Sequence, residues 1–127
     1  MIKLLKFIFH ISVLFLIIIS LYPGSLFGYF FYDDLYKQPN FIVSPLGTAI
    51  NHFISYICIS LLGFFLYLRN RNFKNLFYGL LILSIFLEVF QFIVPIRAFQ
   101  LSDLFGNVLG VLVAYFLVKI YQLYSKP

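Results

Sequence analysis

Residues 76–94 read LFYGLLILSIFLEVFQFIV, an apolar run interrupted by one formal charge, Glu88. At about 1.5 Å per helical residue the run reaches roughly 30 Å, the thickness of a hydrocarbon core. Three more stretches have that reach: residues 4–22, 48–68 and 103–123. All are continuously apolar, where the strands of a membrane barrel would alternate. With 63% hydrophobic and 10% charged residues among 127, the chain has more apolar surface than one small water-soluble core can hide. The expectation is an all-α membrane protein, a four-transmembrane-helix bundle forming a single domain over residues 1–127.

The charges set the orientation. If the N-terminus is cytoplasmic, that side holds Lys3, Lys6, Arg69, Arg71, Lys74, Lys119 and Lys126, against Lys37 and Arg97 outside. The positive-inside rule then puts both termini in the cytoplasm. The net charge of +5 reads as a topology signal aided by anionic lipid, and no Gly-rich phosphate loop, zinc-knuckle spacing or RNA-binding aromatic motif points to nucleic acid. Lys3 and Lys6 ahead of an apolar stretch resemble a signal peptide, but Tyr22-Pro23-Gly24 offers no small-x-small cleavage site, so a retained helix is expected. His10 inside it reads as a helix-facing or interfacial residue, and Cys58, the single cysteine, as a small packing residue.

The longest connection, residues 23–47, is punctuated by Pro23-Gly24, Gly28, Pro39-Asn40 and Ser44-Pro45. Its run of Leu26, Phe27, Tyr29, Phe30, Phe31, Tyr32, Leu35 and Tyr36 is too apolar to stand in water. It is expected to lie in the outer interface, with tyrosine hydroxyls at headgroup level and Asp33 and Asp34 facing water.

The polar residues inside the spans share one depth. Counted from the outer ends, His52 lies about 6 Å into the second span, Glu88 about 9 Å into the third and Asn107 about 6 Å into the fourth. Gln91 is shallower, and Arg97 and Asp103 flank the outer turn. Facing lipid separately they would be prohibitively costly, so they are expected to face the bundle interior and each other. Spacing agrees: Glu88 and Gln91 share a face, as do His52 and Tyr56, and as do Asp103, Asn107 and Gly110. Glu88 is expected to pair with Arg97, directly or through Gln91. Each residue also has a plain structural reading. Asp103 with Ser102 can cap a helix, Asn107 can join helices, Arg97 can snorkel, and Gly106, Gly110 and Ala114 form a series for close helix packing. Glu88 fits such a reading least, because intramembrane carboxylates are rarely kept for packing alone.

The segment from Leu87 to Phe99 (LEVFQFIVPIRAF), followed by Ser102 to Gly110 (SDLFGNVLG), resembles the signature of the VanZ-like family of small bacterial membrane proteins. Upstream, Asn51 to Tyr56 (NHFISY) is similar to the family's His-x-x-x-Tyr element. The similarity spans the last three helices. One departure is visible: Thr48 and Ala49 stand where family members often carry an Asp-Lys pair. The resemblance implies a multi-pass protein of the bacterial cytoplasmic (inner) membrane, linked to the cell envelope and to tolerance of teicoplanin-type glycopeptides. These antibiotics act on wall precursors outside the membrane, the side on which the polar layer is expected.

Three function classes stay open. The layer binds an anionic or lipid-linked envelope component, with Arg97 on phosphate, Gln91, Asn107 and Tyr56 hydrogen-bonding, and Glu88 and Asp103 balancing charge. Alternatively it is an intramembrane enzyme with His52, Glu88 and Asp103 as catalytic candidates, His52 or Glu88 as general base, Asp103 as partner and Arg97 as electrophilic clamp, with or without a metal, although no nucleophile motif is present. Or the polar residues only hold together a scaffold for an envelope partner or a homo-oligomer. The lipid bilayer is the one partner common to all three; the spacing indicates no metal site, and no cofactor is identified.

Overall fold

The computed structural model describes residues 1–125, so Lys126, counted above with the inner charges, lies outside the described residues. Five helices follow in order: α1 Ile2–Leu21, α2 Leu26–Tyr32, α3 Ala49–Leu66, α4 Phe73–Phe90 and α5 Leu101–Tyr124. Four of them, all but α2, are long and apolar enough to cross a membrane, and the described residues contain no strand. Within hydrocarbon this is the arrangement that satisfies every backbone group inside its own segment.

α3 and α5 form the centre, packed along their length; α4 lies against α5, and α1 flanks α3 and α4. The approach of α5 to α3 depends on absent side chains. A Cβ on Gly106 would lie 2.5 Å from the Ala49 carbonyl oxygen, and one on Gly110 would lie 2.7 Å from that of Phe53. Ala114, next on the stripe, is fully buried. Because the obstructing atoms are backbone, Gly110→Ala is expected to lower the unfolding midpoint in detergent, by the cost of overpacking of about 1–3 kcal/mol. Gly79→Ala is the control: nothing lies within 4 Å of its Cβ position, and alanine favours the helix. Circular dichroism melts that ranked Gly79→Ala as the more damaging change would contradict this packing.

The half of the bundle holding the α3–α4 turn is filled by aromatic rings, with Phe64 and Tyr115 each packed against Phe73, Phe77 and one another, and Phe77 and Tyr115 centred 4.2 Å apart. Phe9, the buried residue of α1, presses on Gly63 of α3. The outward faces carry Phe15, Ile82, Phe86, Leu109 and Phe116, as a lipid solvent permits. Cys58 also lies on this outward side, exposed, and not in the packing role expected of it. His10 is exposed too, its ring bonded to the Lys6 carbonyl.

Two elements differ from expectation. Residues 23–47 contain a helix, α2, capped by Ser25 Oγ, which accepts from Gly28 N at 2.9 Å, and closed by Asp33 in the left-handed region at φ 52°. Gly28 is needed there because a Cβ would run into the carbonyls of Asp34 and Lys37. Phe41 lies edge-on to Phe27 and Phe31, and Tyr29 to Tyr32 remain exposed. Asp34 does more than face water: its Oδ1 accepts from Tyr36 N at 2.8 Å. The second difference is that α4 ends at Phe90 and not near Val94. From Glu88 on, the bonds tighten to three-residue spacing, including Phe92 N to Val89 O and Val94 N to Gln91 O. Pro95 accounts for this, since it bars α geometry at the residue before it.

Candidate functional site

α3, α4 and α5 bring their polar stripes together at the end of the bundle away from the termini. Asp103 is in the first turn of α5 and only 3% exposed; Glu88 near the end of α4 is 1% exposed. Thr48 Oγ1 donates to Asp103 Oδ1 at 3.1 Å and Oδ2 at 3.2 Å. His52 Nε2 faces Asp103 Oδ2 at 3.4 Å, and its Nδ1 meets Asn107 Oδ1 at 2.9 Å. Asn107 Nδ2 donates to Glu88 Oε2 at 3.2 Å and to the Ser84 carbonyl at 3.5 Å, and Gln100 N donates to Glu88 Oε1 at 3.2 Å. A single chain of contacts therefore runs Thr48, Asp103, His52, Asn107, Glu88, Gln100.

The chain of contacts fixes proton positions. With its Nδ2 committed to two acceptors, Asn107 can only accept through Oδ1, so His52 Nδ1 carries a proton. Nε2 then faces the Asp103 carboxylate. No three His, Cys, Asp or Glu side chains converge to hold a metal ion among the described residues.

Arg97 goes elsewhere. The expected pairing with Glu88 is replaced by bonds to α1: Nη2 donates to the Ile19 carbonyl at 2.6 Å and Nε to the Tyr22 carbonyl at 3.3 Å. These are among the last carbonyls of α1, which lack intrahelical partners and form the negative end of its dipole. α1 has no basic residue in its own last turn, and Arg97 takes that place from across the bundle. Ile96 turns the chain there at φ 65°, a strained conformation for a β-branched residue. Burial pulls the Arg97 pKa down, while the charges of Glu88 and Asp103 push it up; the guanidinium stays cationic. Among the described residues, the one contact within 4.0 Å between a basic group and a carboxylate is His52 with Asp103.

Arg97, His52, Tyr56 and Gln91 all line one cavity of about 220 Å³. Asn51, Ser55 and Thr48 add polar groups, and Leu16, Ile19, Phe27 and Phe41 form an apolar wall. Tyr56 is 2% exposed and its hydroxyl has no hydrogen-bond partner; the same holds for Ser60 Oγ below it. Glu88, Asp103 and Asn107 do not line the cavity but stand behind His52, with Asn107 consumed by its three contacts. Thr48 was readable in the sequence, one helical turn before His52. The wall built from α2 and the segment after it was not, because nothing local to Phe27, Gln38 or Phe41 says which helices they cover.

A family model described as VanZ/LLP1 matches residues 7–122, which include α2 to α4 and most of α1 and α5. No curated protein and no solved structure matches the chain.

Proposed function

Because the chain belongs to the VanZ-like family, we propose that it serves the bacterial envelope by holding the phosphate-bearing headgroup of an anionic or lipid-linked envelope component in the Arg97 cavity. On this reading the chain is a single domain with both termini on the cytoplasmic side of the inner membrane, and the cavity lies in the outer leaflet. One observation carries it: a half-buried guanidinium on the cavity wall is bonded to carbonyl oxygens and, among the described residues, to no carboxylate. A phosphate supplies the missing negative charge, and its oxygens match the free Nη edge. Gln91 offers a neutral donor, and the wall of Leu16, Ile19, Phe27 and Phe41 takes the first carbons of a lipid tail. About 220 Å³ holds a phosphate with a few attached carbons, far less than a sugar–peptide precursor head. On this reading, tolerance of teicoplanin-type glycopeptides follows from competition for such a component outside the membrane.

The test is a titration of the purified protein in neutral detergent with a short-chain polyprenyl phosphate and with the same alcohol lacking phosphate. Saturable thermal stabilisation by the phosphate alone is expected. Equal effects of phosphate and alcohol would remove the proposal. One observation favours a second reading, an intramembrane enzyme: the His52–Asp103 pair adjoins the cavity, and on that reading His52 acts as general base. Release of inorganic phosphate that depends on His52 would establish it.

The orientation has its own prediction. In a Cys58→Ser background, single cysteines at Lys37 and Gln100 are expected to react with an impermeant reagent from outside and one at Asn72 only from inside. The reverse pattern would move the cavity to the inner leaflet.

A further inference from the structure

A second cleft, about 520 Å³, opens at the other end of the bundle, between the α3–α4 turn, the start of α4 and the end of α5. Arg69, Arg71, Lys74 and Lys119 line it. All the acidic residues of the chain, Asp33, Asp34, Glu88 and Asp103, belong to the opposite end. Four cations thus share a cleft that, among the described residues, holds no carboxylate, and an anion bound there offsets their mutual repulsion. The walls are fixed in advance. The Lys119 ammonium sits over the rings of Phe73 and Tyr115, 4.9 and 5.6 Å from their centroids, and Gln122 Nε2 ties α5 to the turn through the Leu68 carbonyl at 2.8 Å. The two arginines offer planar, paired donors of the kind that match phosphate oxygens. Exposed Tyr121 and Tyr124 on α5 mark this level as the membrane–water interface, where a headgroup and not a free solute is held at high local concentration.

We propose that this cleft is a binding site for the phosphate of an anionic phospholipid headgroup, in the leaflet at the basic end and independent of the Arg97 cavity. The test is thermal unfolding of the full chain in neutral detergent during titration with phosphatidylglycerol, phosphatidylcholine or inorganic phosphate. Phosphatidylglycerol is expected to stabilise saturably, and the other two not. Arg71→Gln/Lys74→Gln changes two exposed side chains of the cleft and is expected to weaken the apparent affinity about ten-fold or more. Lys3→Gln/Lys6→Gln removes the same charge at the same end outside the cleft and is expected to keep the wild-type curve. Equal response to phosphatidylcholine, equal response to inorganic phosphate, or equal weakening by both double variants would each overturn the lipid site.

Discussion

Arg97→Lys is expected to abolish saturable binding of a polyprenyl phosphate and, with it, any glycopeptide-tolerance phenotype that deletion produces, while the protein still accumulates in the membrane. The guanidinium has two tasks at once. Nη2 and Nε hold the carbonyls of Ile19 and Tyr22, and the remaining donors face the cavity. Lysine keeps the charge but presents one compact ammonium, which cannot span both carbonyls and a ligand. If it stays on α1, the cavity loses its donors; if it turns to the cavity, the end of α1 is released. A loss of at least about a hundred-fold in affinity is expected, of the size seen when a buried hydrogen-bonded charge contact is cut at a binding interface. Full complementation by Arg97→Lys at normal expression would mean that the cavity is only structural.

Asn107→Leu is expected to cost about 2–4 kcal/mol of bundle stability, because it strands two polar partners in a low-dielectric interior. Glu88 Oε2 loses its donor, and His52 Nδ1 loses its acceptor. The double variant Asn107→Leu/Glu88→Leu is expected to be less destabilised than the sum of the single changes, since no carboxylate is then left uncompensated. Unfolding in mixed micelles measures both quantities. Strict additivity, or a single-variant cost below about 0.5 kcal/mol, a typical value for an interhelical hydrogen bond in a membrane, would contradict the linked network.

Glu88 was legible because a carboxylate in an apolar run is expensive and so conspicuous, and its depth matched that of His52 and Asn107 once each was counted from the same membrane face. The partner of Arg97 was not legible. Electrostatics alone favours the nearest carboxylate, yet the unpaired carbonyls at the end of α1 compete for the same guanidinium, and no local pattern relates Ile19 to Arg97. α2 was hidden for a different reason: seven residues that are aromatic on all sides carry no helical period, and its position depends on Gly28 fitting against the carbonyls of Asp34 and Lys37. The early end of α4 was written in Pro95, whose effect on the preceding turn outweighs the hydrophobic continuity of residues 91–94.

The cavity and the basic cleft lie at opposite ends of the bundle, so their ligands can be told apart on one protein. Native mass spectrometry of the detergent-extracted chain tests the central claim most directly. The predicted result is a copurifying phosphate-bearing lipid, additional to any held in the basic cleft, that is retained by the wild type and by Arg71→Gln/Lys74→Gln but lost from Arg97→Lys. A wild-type protein that flies without such a lipid, or one whose lipid survives Arg97→Lys unchanged, would contradict the assignment of the Arg97 cavity as a headgroup site.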